Sequence, residues 1–240
     1  MTILKQDAGG RAPVILSGVN DRHRGLTSHP TGKAQVSVLS FRMKTCLLAG
    51  IILMTGFVCR ADLADEVIKE INRARENPKA YAQVIAEQEA RVSDPKSKAA
   101  IQEAVTYLEK TKPLHPLALS PPLVLSAQSL VDDSGMHGTK GHKGTDRSDP
   151  HRRMNRYGKV VGYGGENISY GYQSARGIVT SLIIDEGVSN RGHRKNIFNH
   201  DFNLAGAATG KHSRYGIICV IDFATMFIPA GETDNAPLFR

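Results

Sequence analysis

Four short segments of the chain carry the side chains that could do chemistry. Two of them present a histidine next to glycine: His142 in Gly-His-Lys-Gly and His193 in Gly-His-Arg-Lys-Asn-Ile. The acids come from Glu166 in Gly-Glu-Asn-Ile and from the adjacent pair Asp185 and Glu186. Imidazole and carboxylate groups that meet from separate segments can bind a divalent cation or transfer a proton. The residue types therefore predict a small polar site, and they leave open whether any catalysis occurs there.

Sequence signals for other kinds of chemistry are weak. Ser169 and Ser189 lack the Gly-x-Ser-x-Gly setting of a hydrolase nucleophile. Cys219 lies within the apolar run Ile-Ile-Cys-Val-Ile, which predicts a buried structural thiol. The sequence contains neither a P-loop nor a dinucleotide-binding fingerprint.

Charge distribution argues against a nucleic-acid partner. The formal net charge is +8, but residues 1–60 hold eight Lys and Arg against two Asp. The remaining 180 residues thus carry only about +2, with no basic footprint for DNA or RNA.

The segment from Met43 to Ala61 has the layout of a secretory signal peptide, with a lysine, an apolar run and then a small residue. We expect cleavage near Ala61 or Ala64, a secreted or periplasmic location, and no stable membrane span after cleavage. Residues 1–42 then have two interpretations. Either translation begins at Met43 and they are a mis-called start, or they form a disordered extension and the apolar run is an uncleaved anchor.

Apolar spacing predicts helices over residues 62–90, from Asp94 to Leu108 and from Ser120 to Gly135. On the first of these, Arg75 is predicted to belong to a solvated face. The loop that follows, Met136 to Asp149, is rich in glycine and histidine and reads as a site loop.

The second half of the chain predicts a helix and a hairpin. Residues 163–171 hold too many glycines for a plain strand. A buried helix should reach Ile184 and stop at Gly187, and strands are predicted over 204–209 and 215–224. The fold class is therefore α+β, with helices covering a small antiparallel sheet over residues 62–228 and a flexible tail over 229–240.

The motifs, taken in order, resemble the bacterial, secreted branch of the CAP (SCP-like) superfamily of cysteine-rich secretory, antigen 5 and pathogenesis-related 1 proteins. The likeness covers roughly residues 65–226, through strings such as Gly-Gly-Glu-Asn-Ile and Arg-Gly-His-Arg-Lys-Asn-Ile. It implies an α-β-α sandwich whose cleft holds two histidines and two acids. By this resemblance the four are His142, Glu166, Asp185 and His193, with Glu186 as the alternative to Asp185.

The resemblance implies three functional classes, which we rank in order. The first is an exported protein in which His142 and His193 bind Zn²⁺ or another divalent cation, with a small or extended ligand in the cleft. The second is a lipid, sterol or peptide module in which the four residues are structural, and the third is a metal-assisted hydrolase. The neighbouring Arg191, Arg194 and Lys195 are predicted to form a mostly solvated rim. The sequence does not indicate an oligomeric state.

Overall fold

A computed structural model of the protein describes residues 4–5 and 62–232. The predicted signal peptide, most of residues 1–42 and residues 233–240 of the predicted tail lie outside the described residues.

Seven α-helices precede or interrupt the sheet within residues 62–232. Four of them begin with proline. Proline suits the first helical turn because an N–H group at that position would have no partner within the helix. Side chains of Asp62, Asn77, Asp94, Asp149 and Ser174 accept backbone N–H bonds as N-caps. The helices are α1 Leu63–Glu76, α2 Pro78–Ala86, α3 Pro95–Lys110, α4 Pro121–His137, α5 Pro150–Met154, α6 Ala175–Ile184 and α7 Gly192–Ile197, with a 3₁₀ turn at Glu89–Arg91.

The strands of the described residues are β1 Leu4–Lys5, β2 Ala118–Leu119, β3 Gly158–Tyr170, β4 Leu204–His212 and β5 Gly216–Pro229. They form one sheet in the order β1-β3-β5-β4-β2. The three long strands, β3, β5 and β4, are antiparallel neighbours, whereas β2 joins β4 in parallel over two residues. The predicted antiparallel sheet is therefore confirmed in its centre and is mixed at one edge.

Helices cover both faces of this sheet. Helices α1 and α6 pack on one face, with α2 and α3 outside them, and α4 and α5 pack on the other. Cys219 lies in the core at 1 % exposure, and burial raises the pKa of its thiol to about 12. The predicted α-β-α sandwich and the predicted burial of Cys219 are both confirmed.

The glycine-rich segment was wrongly predicted, because β3 runs through all of it. The strand takes up its irregularity as a register shift between Val161 and Gly164, and regular pairing with β5 resumes from Gly164 to Tyr170. A bulge of this kind lets a strand bend without ending.

Helix α4 also continues past its predicted end at Gly135. It stops at Gly138, which adopts a left-handed conformation with φ of 66°. Gly135 lies within the helix where α4 comes close to β4, and a Cβ there would collide with the carbonyl of Lys211.

Arg75 is not on a solvated face, as predicted, but is completely buried. Its guanidinium donates to the carbonyl oxygens of His115, Ile197, Asn199 and Phe202 at 2.7–3.2 Å. Burial lowers the pKa of Arg75 to about 10, so the group stays charged at neutral pH. Arg75 therefore ties α1 to the chain segments that follow α3 and α7.

A search for membrane spans finds none among the helices of residues 62–232, since no helix there is both long and apolar enough.

Candidate functional site

His142 is held by Glu166. The histidine lies in the loop between α4 and α5, and its Nδ1 is 2.7 Å from Oε1 of Glu166 on β3. The carboxylate is almost fully buried, with 1 % of the side chain exposed, whereas the imidazole is 30 % exposed. An ionised carboxylate only accepts hydrogen bonds, so Nδ1 of His142 carries the proton and donates it. In the neutral ring, Nε2 is then left with its lone pair.

A buried arginine, which the sequence reasoning missed, neutralises Glu166. Nη2 of Arg153, on α5, is 2.5 Å from Oε2 of Glu166, and both side chains are 1 % exposed. Nη1 of Arg153 also donates to the carbonyl oxygens of His142 and Ser148 at 3.0 Å. One guanidinium thus fixes the acid and the backbone of the histidine that the acid contacts. Arg153 opens the string Arg-Met-Asn-Arg-Tyr-Gly, and nothing in that string marks the arginine as buried.

Asp222, on β5, is a second buried acid that sequence reasoning missed. It is the direct cross-strand partner of Glu166, and it has no exposed surface. Burial, and then the negative charge of Glu166, raise the pKa of Asp222 well above its ordinary value. No hydrogen bond of normal geometry reaches either carboxyl oxygen within residues 62–232, although Ser126 is close enough to oppose the shift.

His193 is held in the same way by Asp185. Its Nδ1 is 2.6 Å from Oδ1 of Asp185, and its backbone N–H donates to Oδ2 at 2.8 Å. Asp185 is 3 % exposed and ends α6 in a left-handed conformation with φ of 53°, which aspartate tolerates better than most residues. The helix was predicted to stop at Gly187; it stops two residues earlier because Asp185 itself makes the turn.

The structure distinguishes the two adjacent acids. Asp185 contacts His193, whereas Glu186 is exposed and accepts a hydrogen bond from Oγ of Ser97 at 2.9 Å. Successive residues at a helix end point in different directions, so only one of two neighbours can reach α7.

Two asparagines join the two histidine–acid pairs. Nδ2 of Asn167 donates to the carbonyl of His193 at 3.0 Å. Nδ2 of Asn196 donates to Oδ1 of Asn167 at 2.9 Å and to the carbonyl of Glu166 at 3.3 Å. Because neighbouring residues of a strand point to opposite faces, Glu166 and Asn167 hold His142 and His193 from the two sides of β3.

The basic residues around His193 are not all a solvated rim. Arg194 is 2 % exposed, and it donates to the carbonyls of Ile183 and Ile184 and to Glu103. Arg191 binds the carbonyl of Asp185 at 2.7 Å and also pairs with Glu103. Only Lys195 is exposed as predicted. The two arginines therefore hold the α6–α7 connection in place.

A cavity of about 580 Å³ opens beside His193. Its lining takes in Asp185 and His193 but, among the described residues, neither His142 nor Glu166. Many of its walls are apolar or aromatic, which is typical of ligand pockets of this size. These lining residues include Val92, Ile101, Ile168, Tyr170, Tyr172, Leu182, Ile184, Val188 and Tyr215.

The donor set available to a metal is limited. Within residues 62–232 there is no group of three or more His, Cys, Asp or Glu side chains arranged to hold a metal ion. His142 and His193, however, each present an Nε2 atom that has no partner in the same region. The Nδ1 atom of each is bound to a buried carboxylate. A carboxylate on the far nitrogen is the usual outer contact of a metal-bound histidine.

Comparison with protein-family models gives a match to the cysteine-rich secretory protein family (CAP) over residues 68–223. The chain belongs to the CAP family. Comparison with curated proteins returned no match. Solved structures of bacterial surface and extracellular proteins are also similar to the chain, at 14–18 % identity.

Three of these neighbours show how distant the likeness is. An outer surface protein of Borrelia burgdorferi is 17 % identical and aligns over 55 % of this chain and 95 % of its own, with a TM-score of 0.41. An extracellular SCP-domain protein of Bacillus anthracis is 18 % identical over 53 % of this chain and 37 % of its own, with a TM-score of 0.38. A cysteine-rich secretory protein of Staphylococcus aureus is 14 % identical over 55 % and 38 %, with a TM-score of 0.35.

Proposed function

We propose that this CAP-domain protein acts outside the cytoplasm by binding a divalent cation through His142 and His193, together with a small or extended ligand in the adjoining cavity. The observation that carries the proposal is the matched pair of histidine–carboxylate contacts, at 2.7 and 2.6 Å, which leaves both Nε2 atoms free of protein partners among the described residues.

The chemistry of the two histidines fits a borderline cation such as Zn²⁺, which prefers neutral imidazole nitrogen. His142 and His193 would be its protein ligands, and Glu166 and Asp185 would orient the rings without touching the metal. With only two protein donors, the remaining positions would be filled by water or by a ligand, where a bound cation would polarise an oxygen atom. This chain's own residues fix the tautomer of each imidazole and hold its backbone.

Calorimetric titration with Zn²⁺ at pH 7.5 and pH 5.5 tests the cation site. We expect binding at pH 7.5 and much weaker binding at pH 5.5, because a protonated imidazole cannot bind a cation. His142→Ala and His193→Ala should each abolish tight binding. His200→Ala is the control, because the side chain of His200 is 79 % exposed and lies away from the site.

The two adjacent acids provide a matched second comparison. Asp185→Asn should weaken Zn²⁺ binding by about ten- to a hundred-fold, as removal of an outer carboxylate does elsewhere. Glu186→Gln, one residue away, should leave it unchanged. Equal effects of the two substitutions, or no heat of binding at either pH from a folded protein, would exclude the cation site.

The second candidate function is a lipid or peptide module in which the four residues are structural, and the apolar walls of the cavity favour it. The third, a hydrolase, has less support. Ser169 lines the cavity, but its Oγ has no hydrogen bond to His193 or to any other residue of the described region.

A further inference from the structure

The outer edge of β3 next to the cavity presents backbone groups with no partner. The carbonyl of Glu166 accepts a hydrogen bond from Asn196, so the backbone groups of Glu166 point away from β5. Backbone groups on a strand alternate in direction, so those of Ile168 and Tyr170 point outward as well. The pairing of β5 agrees with this direction. The carbonyl of Ala224 on β5 faces β4 and therefore not β3. Gly164, the residue of β3 that lies opposite Ala224, must then also point its backbone groups away from β5.

Ile168 and Tyr170 therefore offer two N–H donors and two carbonyl acceptors in a row. Within the described residues, none of these four groups has a hydrogen-bond partner, and all lie on residues that line the cavity. Ile168 is only 7 % exposed. Between them, Ser169 is 5 % exposed and also lines the cavity, and its buried Oγ has no partner among the described residues. Buried backbone and hydroxyl groups are normally satisfied, so this edge is built for a polar ligand.

The spacing of these groups indicates which polar ligand fits. Donors and acceptors that alternate along a strand edge match a peptide backbone, whereas a lipid brings its polar groups at one end only. The same edge already takes a short strand, because Leu4–Lys5 pairs antiparallel with Gly164 and Tyr163. The edge of β3 thus accepts a strand four residues away from the unpartnered stretch.

The surroundings supply the side-chain contacts that a bound peptide needs. Tyr172 is 48 % exposed at the cavity, and Tyr215 lies beside Tyr170 with ring centroids 5.1 Å apart. Lys140 lies 5.9 Å from the centroids of the rings of Tyr170 and Tyr215. Exposed tyrosines around a groove are the residues that most often dominate binding energy.

We propose that the cavity binds an extended peptide as an added strand on the edge of β3, through the backbone groups of Ile168 and Tyr170. The proposal rests on the ligand-binding part of the proposed function and is independent of the cation. It commits to a peptide backbone as the recognised group, and the side chains on one face of the peptide would enter the apolar part of the cavity.

The test begins with selection of peptides from a displayed random heptapeptide library on the full protein, with EDTA present. The best peptide is then synthesised with one backbone nitrogen methylated at a time, and its binding is measured by fluorescence anisotropy. Methylation removes one N–H and leaves the side chain intact. We expect at least ten-fold loss at alternate positions and little change at those between them, because only alternate N–H groups of an added strand face β3.

Hydrogen exchange locates the contact on the protein. The bound peptide should slow exchange at the amides of Ile168 and Tyr170, with no change at Ser169, whose amide already faces β5. Tyr172→Ala should weaken peptide binding at least five-fold and leave the Zn²⁺ titration as it is in the unmodified protein, so the two proposals can fail separately.

Three results would overturn the inference. They are a selection that enriches no peptide, methylation losses without alternation, and protection confined to other parts of the protein. Protection of Ile168 and Tyr170 by lauric acid but not by any peptide would assign the cavity to a lipid instead.

Discussion

A buried carboxylate that bonds to an imidazole needs a counter-charge, and the two acids of the site obtain theirs differently. Glu166 has the guanidinium of Arg153 at 2.5 Å in a place with almost no solvent. Asp185 instead accepts the N–H of His193 at the start of α7, where backbone dipoles favour a negative charge. A buried ion pair costs much of its attraction in lost hydration. The arrangement is therefore better explained by placement of His142 than by stability.

Asp222 lies next to this ion pair and brings a third acid into the same buried region. Two carboxylates opposite each other on neighbouring strands repel when both are ionised, so ionisation of one disfavours ionisation of the other. Burial and the negative charge of Glu166 both raise the pKa of Asp222 and so favour a proton on Asp222, beside the pair that Glu166 forms with Arg153.

The substitution Asp222→Asn tests this assignment. A raised folded pKa means that the acid's contribution to stability is full below its unfolded pKa, near 4, and falls as the pH rises through the folded pKa. The free energy of unfolding of the unmodified protein should therefore fall with pH in that window, by at most about 1.4 kcal/mol per pH unit. Asn cannot ionise, so Asp222→Asn should be the more stable form at high pH.

Urea unfolding at several pH values between 4 and 9 measures the effect. The exposed Asp132→Asn serves as the control and should follow the unmodified protein. Curves for Asp222→Asn and the unmodified protein that stay parallel over the whole range would show that Asp222 is ionised in the fold.

The role of a residue could be predicted where the residue belongs to a sequence motif. It could not be predicted where the role depends on burial in the folded protein. The contact of His193 with Asp185 agrees with the motif. That Asp185, and not Glu186, makes this contact could be decided only from the geometry of the end of α6. Arg75, Arg153 and Arg194 could not be recognised as buried, because a charged residue is buried only when tertiary structure brings it carbonyl or carboxylate partners. Nothing in the local sequence shows those partners.

Among the elements, α4 has the closest contact with the sheet. A Cβ on Gly206 of β4 would lie 2.5 Å from the carbonyl carbon of Leu123 and 2.8 Å from its Cβ, and it would also meet the backbone nitrogen of Val124. Gly206 thus sets the distance between α4 and the sheet at the start of the helix, and Gly135 does so near its end.

Gly206→Ala should therefore destabilise the protein even though alanine suits a strand no worse than glycine. The two nearest atoms it meets are backbone atoms, so α4 would have to move, at a cost of about 1–3 kcal/mol or more. Guanidinium unfolding measures the loss. Gly164→Ala in β3 is the matched control, because its nearest neighbours lie 3.5 and 3.6 Å away, at ordinary contact distance. A loss of equal size in both variants would refute a role for close helix–strand contact.

Helices were predicted more accurately than strands in this chain. Proline starts and apolar spacing are local signals, and they placed α3 and α4 within a few residues of where they begin. The glycines of β3 suggested an interrupted segment, yet pairing with β5 keeps it extended along 13 residues. Strand pairing is a long-range interaction, so the propensity of the segment alone does not decide its structure.

For the whole molecule, the family match over residues 68–223 coincides with the compact sandwich. That sandwich explains why four separate segments form two linked histidine–acid pairs, since β3 passes between the loop with His142 and the helix with His193. The functional consequence is a site whose two halves are held by different faces of one strand, next to a cavity on its outer edge.

We predict that, if the protein is exported as proposed, the exported chain begins at Asp62. The two candidate cleavage points after Ala61 and Ala64 differ in their effect on α1, which starts at Leu63. The side chain of Asp62 caps this helix by accepting the N–H of Ala64, and Ala64 itself is 7 % exposed. Cleavage after Ala64 would remove the cap and the first helical residues, at a cost of about 1 kcal/mol or more. Mass spectrometry of the exported protein should therefore show Asp62 as its first residue. A chain that starts at Asp65, or one that keeps residues 1–42, would contradict the prediction.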